Sequence, residues 1–574
     1  MGYTLSVSNS SGAIVNSSAS QLFLANYTPV NAGLFNSNNL YIPFSNDGII
    51  ADLDTGAGAG GKYDNSVFLF SSGFFLSGLA GINDWANGVM SASRIQDYST
   101  GPVREYPGFN SIFIVKASDA PFSKSWQDWR YAVADGASFY DGNGDAIYNP
   151  VDLNNNSVWD TNEDRPDLIG DFTAWCVFND GIPSGLRRFS NVDPMGIEIQ
   201  QTIFGWSAPG TPLSNSMFVR YSLINKSGSY EKFDSVYFSF ASDPDLGDYA
   251  DDLVGSDSLL NLGYVYNSGP DDVFGNNCPA FGIAVLQGPP AYIPGKTFTD
   301  VNGNGIYDHG SDTPLDTAFN HKGKYLSRDA FPGAENLKMT SFQHYMSSHP
   351  TNGDPNTKTE LRNYLLGGRD KFGQRINPCT WSFGSVYPPA NCALVNPEYF
   401  YSGDPVTSTG WLNNTGVDQR MLVNTGPFTL VRNKKVDIIG AYSVGRHSTA
   451  SLNSVNVLKD NITYIKEFYN DNFTRTGLPG ANSNINGEGF SLGDNYPNPF
   501  NPVTVIGFSI PVASEVSLKI YDILGNEVAD LVNSAKTAGY HNVQFNSTGL
   551  ASGVYFYQLR AGSFSQIKKM IIVK

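Results

Sequence analysis

Val516, Leu518 and Ile520 alternate with Ser517 and Lys519, a strand-type pattern that buries one face of an extended segment. Asp522 to Gly525 and then Gly539 interrupt the apolar runs, as turn residues do. Residues 490–574 therefore read as a small all-β module with its own turns. The run Tyr496-Pro497-Asn498-Pro499-Phe500-Asn501-Pro502 contains prolines that cannot donate to a ladder, so it is expected to be an extended strap.

The preceding body, residues 1–473, shows the same strand grammar with longer loops, and 474–489 reads as a linker. Strands are expected at 38–42, with Pro43 ending the first, and at 48–53, 66–76 and 111–115. The runs on either side of 243–257, and those at 418–430 and 436–445, read as further strands. Two helices interrupt this order. One is expected over 354–368, capped by Asp354, opened by Pro355 and stopped by Gly367, with Leu361, Tyr364 and Leu365 as its buried stripe. The other runs over 452–468, where Val455, Leu458, Ile462, Ile465 and Phe468 keep helical spacing. Residues 371–415 are expected to form a surface excursion. The fold class is thus mainly β: a large β-sandwich-type body of one or two subdomains, with few helices and a C-terminal β-module.

Composition sharpens this picture. Only 16% of residues are charged, so Asn, Ser, Thr and Gly must dress much of the surface, which suits an extracellular protein. The net charge of −17 argues against nucleic acid, whose phosphates need a basic face, and is compatible with divalent cations. No apolar run is long enough for a transmembrane segment.

Three loops carry candidate chemistry. In 141–152, Asp141, Asn143, Asp145, Asn149 and Asp152 fall at positions 1, 3, 5, 9 and 12 of a calcium loop. In 152–163, Asp152, Asn154, Asn156, Asp160 and Glu163 fall at the same positions, so the two loops compete for Asp152. In 300–312, Asp300, Asn302, Asn304 and Asp308 match positions 1, 3, 5 and 9, and Asp312 lies one step past position 12. Alternate oxygens on a tightly curled loop converge on one point, and a hard cation takes six to eight of them. Ile147, Val158 and Ile306 at position 7 would offer backbone carbonyls while their side chains enter the core. The spacing resembles that of dockerin and thrombospondin type 3 loops. The expected cofactor is calcium, bound structurally.

A fourth acidic stretch contains Asp243, Asp245, Asp248, Asp251, Asp252 and Asp257, with no Lys or Arg nearby in sequence. Such crowding favours a cation among the carboxylates. Paired acids could also serve glycoside hydrolysis, so a secreted hydrolase, a glycoside hydrolase or a peptidase, with an Asp-lined site near 243–257 is the alternative reading. Other catalytic patterns fail. The glycine-rich 56–61 lacks a following Lys-Ser/Thr, His344 and His349 lack the glutamate of a zinc protease helix, and Pro209 stands where a nucleophile elbow after Ser207 needs glycine. Each histidine is expected to be a surface or turn residue.

The tail resembles a known family. NYPNPFNP at 495–502, YDILG at 521–525, LASGVY at 550–555 and KKMIIVK at 568–574 match, in order, the type A sorting domain of the type IX secretion system; Asp494 stands where Gln is usual. The resemblance implies an immunoglobulin-like sandwich, recognition by the secretion machinery, and a destination at the outer cell surface or beyond. It also implies a leader; residues 1–20 show none, so one is expected to precede this numbering unless the sequence is a fragment. The order WxVFND, FVRYSLINKSG, DPDLGDYADDLVG and TGPFTL resembles large secreted proteins with this tail, a likeness that transfers no activity.

In an oxidising compartment Cys379 and Cys392 are expected to pair across a short loop, contributing about 3 kcal/mol in the chain-entropy model. Cys176 is read as a buried thiol, with pairing to Cys278 left open. The function expected is that of a calcium-stabilised structural or adhesive surface protein: an adhesin, surface-layer or extracellular filament component. Partners would be the secretion machinery, further copies of the chain, or a glycan or protein ligand.

Overall fold

The segments Phe172–Asn179, Ile197–Gly205, Ser216–Asn225 and Lys435–Gly445 expose almost none of their side chains. Strands buried on both faces need cover on both sides, and that requirement organises the body. The computed structural model describes residues 31–474 except 57, 91–96 and 104–110, and residues 491–573 except 493–494, 496–499, 501, 511–513, 537–538 and 563. The chain divides into two units, 1–474 and 475–574. The described residues are mainly β, with three α-helices: α1 (Lys124–Ala134), α2 (Lys358–Leu366) and α3 (Ser454–Asn470).

In the first unit the four buried strands sit at the centre of a nine-stranded antiparallel sheet. Its order is Leu253–Asp257, Leu262–Tyr266, Ala280–Gln287, Lys435–Gly445, Ser216–Asn225, Ile197–Gly205, Phe172–Asn179, with Ser99–Thr100 and Phe113–Lys116 both paired to the last. A five-stranded sheet, in the order Ser341–Met346, Gln419–Val431, Lys232–Asp243, Ser71–Ala80, Asn83–Val89, covers one face. Aromatic rings fill the space between the sheets. Phe74 stacks on Phe178 at 5.9 Å, Tyr221 meets Phe238 at 5.3 Å, and Phe240 meets Tyr442 at 6.4 Å. Gly440 makes room for Phe240, since a Cβ there would lie 2.5 Å from its ring.

Helices cover the other face of the nine-stranded sheet. α3 buries Val455, Leu458, Ile462, Ile465 and Phe468 against Phe204, Phe218, Ile439 and Ala441. α1 buries Trp129 and Ala132 against Val115, Trp175 and Val177. α2 packs instead on the five-stranded sheet, where it buries Leu361, Tyr364 and Leu365, with Tyr364 stacked on Tyr345. At one end of the sandwich a buried Arg187 sits 3.3 Å from Asp97 and 3.8 Å from Asp180. Asp97 also accepts from the Gly88 N–H and Asp180 from the Ile197 N–H, so these acids tie a loop to the sheet.

Several expectations are corrected. Pro43 lies inside Leu40–Ser45 rather than ending it; beyond Tyr41 that strand pairs with Ala32–Phe35 and makes an isolated bridge from Phe44 to Ile50, and the Pro43 carbonyl accepts from the Ala51 N–H. Residues 48–53 form no strand: Ile50 makes isolated bridges, and Ala51 turns the chain at φ 75°. α2 is capped by Thr357, whose hydroxyl accepts from the Glu360 N–H, not by Asp354; Gly367 ends it with positive φ, as expected. The 371–415 excursion is more than surface, because it sends Phe400, Tyr401 and Trp411 into the core. Cys379 and Cys392 form the expected disulfide, and Cys176 and Cys278 are buried thiols.

The second unit is a small β-sandwich. Ser491–Leu492, Val503–Ile510 and Gly539–Asn546 form one sheet; Glu527–Lys536, Ser514–Tyr521, Gly553–Ala561 and Phe564–Ile572 form the other. The alternating Val516, Leu518 and Ile520 are buried with Phe508, Tyr557, Leu559 and Met570. At the 521–525 turn Asp522 accepts from the Leu524 and Asn526 N–H groups, and Gly525 adopts positive φ. Of the strap, 496–499 and 501 lie outside the described residues; Asn495 donates to Tyr557 Oη and Thr504 Oγ1, and the Phe500 N–H to the Ile571 carbonyl.

Covering the nine-stranded sheet should be costly to disturb. Ile462→Ala in α3 is expected to lower body stability by about 2–5 kcal/mol, the range for a fully buried large-to-small change. Urea unfolding of the full chain measures it; a loss below about 1 kcal/mol would show that α3 is not structurally required.

Candidate metal centres

The three Asp/Asn loops fold alike. In each, the carboxylate at position 1 caps amides later in the loop: Asp141 accepts from Gly144 and Ala146, Asp152 from Asn156 and Ser157, and Asp300 from Gly303, Asn304 and Gly305. Position 3 accepts from the amide of position 5, and position 5 from that of position 7. A buried carboxylate then clasps the amides of positions 2 and 9. Glu163 accepts from Leu153 and Asp160 at 2.7 and 2.9 Å; Asp312 accepts from Val301 and Asp308 at 2.9 and 2.8 Å. In the first loop the clasp is Asp164, which accepts from Gly142 and Asn149 at 3.0 and 2.7 Å. Asp152 opens the second loop, and Asp164 takes the closing place in the first.

Side chains converge within two of these loops. Asn154 and Asn156 donate to Asp160 Oδ2 at 2.8 and 3.0 Å, and Asn302 and Asn304 donate to Asp308 Oδ2 at 2.7 and 2.8 Å. Each amide oxygen stays within the loop, so positions 3, 5 and 9 already face one point. The first loop has the neutral Asn149 at position 9, and Asn143 donates to Asp145 instead. Ile147, Val158 and Ile306 are 65%, 59% and 65% exposed, so their side chains point to solvent rather than into the core. The residue after each packs against the body instead. Tyr148 is buried and donates to the Trp126 carbonyl; Trp159 packs on Tyr140 and Tyr325; Tyr307 stacks on Tyr292. The Arg165 guanidinium lies 3.7 Å from the Tyr325 ring and 4.7 Å from the Trp159 ring, tying the second loop to the body.

The acidic stretch 243–257 divides between several environments. Asp248 accepts from the Ala250 N–H, Asp251 from Asn267, and buried Asp252 from the Leu246 N–H. Asp257 pairs with Lys459 at 3.2 Å. Asp243 and Asp245 instead meet Asp418, one carboxylate oxygen of each lying within 4.8 Å of the others. Arg420 bridges Asp243 at 3.0 Å and Asp418 at 2.6 Å. The cations missing from the neighbouring sequence thus come from distant strands and from α3. Burial pushes the Asp243 carboxyl up to about 7, against the pull of Arg420 and helped by Asp245 and Asp418. Burial, then Asp418, pushes Asp245 up to about 6.

Two histidines depart from expectation. His344 is fully buried, with Nδ1 3.0 Å from Gln419 Oε1 and Nε2 3.0 Å from Tyr401 Oη, and burial lowers it to about 3. His321 is also buried and lowered to about 4. On the helix-covered face of the large sheet lies a polar cavity of about 300 Å³ lined by Gln200, Arg220, Ser222, Asn320 and Asp437. Arg220 is held there by Asp167 at 2.8 Å.

Comparison with known proteins identifies the tail. Residues 494–573 match the secretion system C-terminal sorting domain. The chain is therefore a type IX cargo, secreted to or beyond the cell surface, and among the described residues no helix is long and apolar enough to cross a membrane. No curated protein matches the chain. Among solved structures, a polysaccharide lyase is similar at 7% identity over 66% of this chain and 34% of the lyase, with TM-score 0.20. This chain therefore spans about a third of that enzyme's length. PorZ, a surface component of the type IX secretion system of Porphyromonas gingivalis, is similar at 9% identity over 95% of this chain and 70% of that one, with TM-score 0.13. Neither likeness reaches a shared fold.

The raised acids set a sign for pH dependence. Asp243 and Asp245 hold protons more tightly folded than unfolded, so their contribution is complete below about pH 4 and is lost as pH rises through about 6 and 7. His321 and His344 act oppositely, since their lowered values favour the fold above the ordinary histidine range. The comparison is therefore between wild type and Asp245→Asn, in chelator, by urea denaturation from pH 5 to 8. Wild type should lose stability relative to the variant as pH rises; parallel profiles would show that these acids do not titrate in that window.

Proposed function

We propose that the body of this exported protein is a non-enzymatic, calcium-stabilised structural or adhesive element of the outer surface. The observation that carries this reading is the repeated loop geometry. Three loops that are not flanked by a pair of helices share the position-1 cap, the bonds from positions 3 and 5, and the buried clasp across positions 2 and 9.

Calcium would sit among the side-chain oxygens at positions 1, 3, 5 and 9 and the carbonyl of position 7. Asp152, Asn154, Asn156, Val158 and Asp160 would hold it in the second loop, and Asp300, Asn302, Asn304, Ile306 and Asp308 in the third. The first loop, with Asp141, Asn143, Asp145, Ile147 and Asn149, has the same two carboxylates but at positions 1 and 5 instead of 1 and 9, without the convergence of both Asn amides on position 9. An ion would turn the Asn amides so that oxygen replaces nitrogen toward the centre. Extracellular calcium modules bind at about 10⁻⁴–10⁻³ M, so the ion would be structural at the cell surface. An exterior with few charged residues suits contact with glycans, other proteins or further copies of the chain.

Thermal melting checks this reading. Calcium at a hundredfold excess over its dissociation constant should stabilise the body by about 2.7 kcal/mol for each site it fills. Asp152→Asn with Asp300→Asn should remove most of the difference between calcium and chelator. An unchanged midpoint in chelator would overturn the calcium assignment for these loops.

A further inference from the structure

The acids at one end of the five-stranded sheet stand in register. Asp243 lies opposite Ser71 on one neighbouring strand. On the other side, the pairing of Ser242 with Met421, extended along the strands, sets Asp243 beside Arg420 and Asp245 beside Asp418. Like charges opposed across strands are unfavourable unless something positive lies between them. Arg420 answers part of the charge, holding Asp243 Oδ2 and Asp418 Oδ1. Three carboxylates against one guanidinium still leave two negative charges in a partly buried place, which is the charge a divalent cation would neutralise.

A second observation points to a ligand. Asp243 is only 6% exposed, and its Oδ1 has no hydrogen-bond partner. Across the strand pair, Ser71 is fully buried, and its hydroxyl oxygen is likewise unpartnered. Buried oxygens left unmatched are costly, so natural folds match them with a donor, a water or an ion.

We propose that Asp243, Asp245 and Asp418, with the Ser71 hydroxyl as a neutral fourth oxygen, hold a hard divalent cation of the calcium or magnesium class. An all-oxygen set selects hard ions over zinc or copper, which favour nitrogen and sulfur. Arg420 fixes two of the carboxylates and keeps the net charge of the occupied site near zero. Asp245 and Asp418 are only partly buried, which leaves the ion a way in. The ligands come from strand ends of one sheet, so the site does not depend on the three Asp/Asn loops or on their occupancy.

Equilibrium dialysis of the full chain against calcium, and separately magnesium, followed by elemental analysis of bound metal, tests this. Asp245→Asn and, independently, Asp418→Asn should each lose one ion per chain while keeping the near-ultraviolet circular dichroism of the wild type. Ser71→Ala should weaken that ion several-fold without removing it. A variant with Asp141→Asn, Asp152→Asn and Asp300→Asn should retain the ion. The two readings therefore fail separately: a loop variant that loses nothing counts against the loops alone. Retention of every ion by folded Asp245→Asn and folded Asp418→Asn would overturn the proposal, leaving a proton to relieve the acids beside Arg420.

Discussion

The large sheet of the body is buried on both faces, and the rest of that unit follows from the need to cover it. Antiparallel sheets commonly leave one face to water. Here the residues of Ile197–Gly205 and Ser216–Asn225 are buried throughout, so a single partner layer is not enough. The five-stranded sheet covers one face with interlocking aromatic rings. On the other, α1 and α3 cover separate apolar patches. Where neither helix reaches, the strands switch to Gln200, Arg220, Ser222 and Asp437, which line a polar cavity.

Covering a sheet twice forces long connections, and these carry most of the acids. The protein manages them in two ways. Some acids turn inward against arginine, as Asp97 and Asp180 do around Arg187 and Asp167 does at Arg220. Others fold back on their own backbone, so that a carboxylate does the work of secondary structure. Asp164, Glu163 and Asp312 each accept two amides, and each is almost fully buried. Removing such a clasp would orphan two N–H groups at once, a larger loss than that of one surface hydrogen bond.

Local patterns in the sequence revealed much of this architecture. The α3 stripe, the alternation of 516–520 and the Asx offsets of the three loops are short-range, and each is where its spacing predicts. Long-range partners were invisible. Nothing near Asp243 announces Asp418 or Arg420, which arrive through strand pairing. The first loop closes on Asp164, outside the twelve-residue frame, because the second loop is inserted before the clasp. α1 had a readable signal in Ser123 followed by Trp126, Trp129 and Val133, but its apolar residues are aromatic and its length is 11 residues, so it merges with the strand-like flanks. Burial of His344 is a tertiary fact, set by Gln419 and Tyr401 from separate segments.

The residue after position 7 decides how a loop would act on the body. In all three loops it is aromatic: Tyr148, Trp159 and Tyr307. Tyr148 enters the cluster beneath α1. Trp159 shares Arg165 and Tyr325, and Tyr307 fills space that only glycine permits at position 333, where a Cβ would lie 2.5 Å from its ring. The backbone carbonyl that would ligate an ion is one peptide from an anchored ring. Ordering a loop therefore orders its ring, and through the ring the sheet-covering layer. Under this coupling, an ion bound at the surface would stabilise residues it never touches. Exposed Ile147, Val158 and Ile306 meanwhile would offer carbonyls to an ion but add little packing, so their side-chain identity is set less tightly than that of the aromatic beside each.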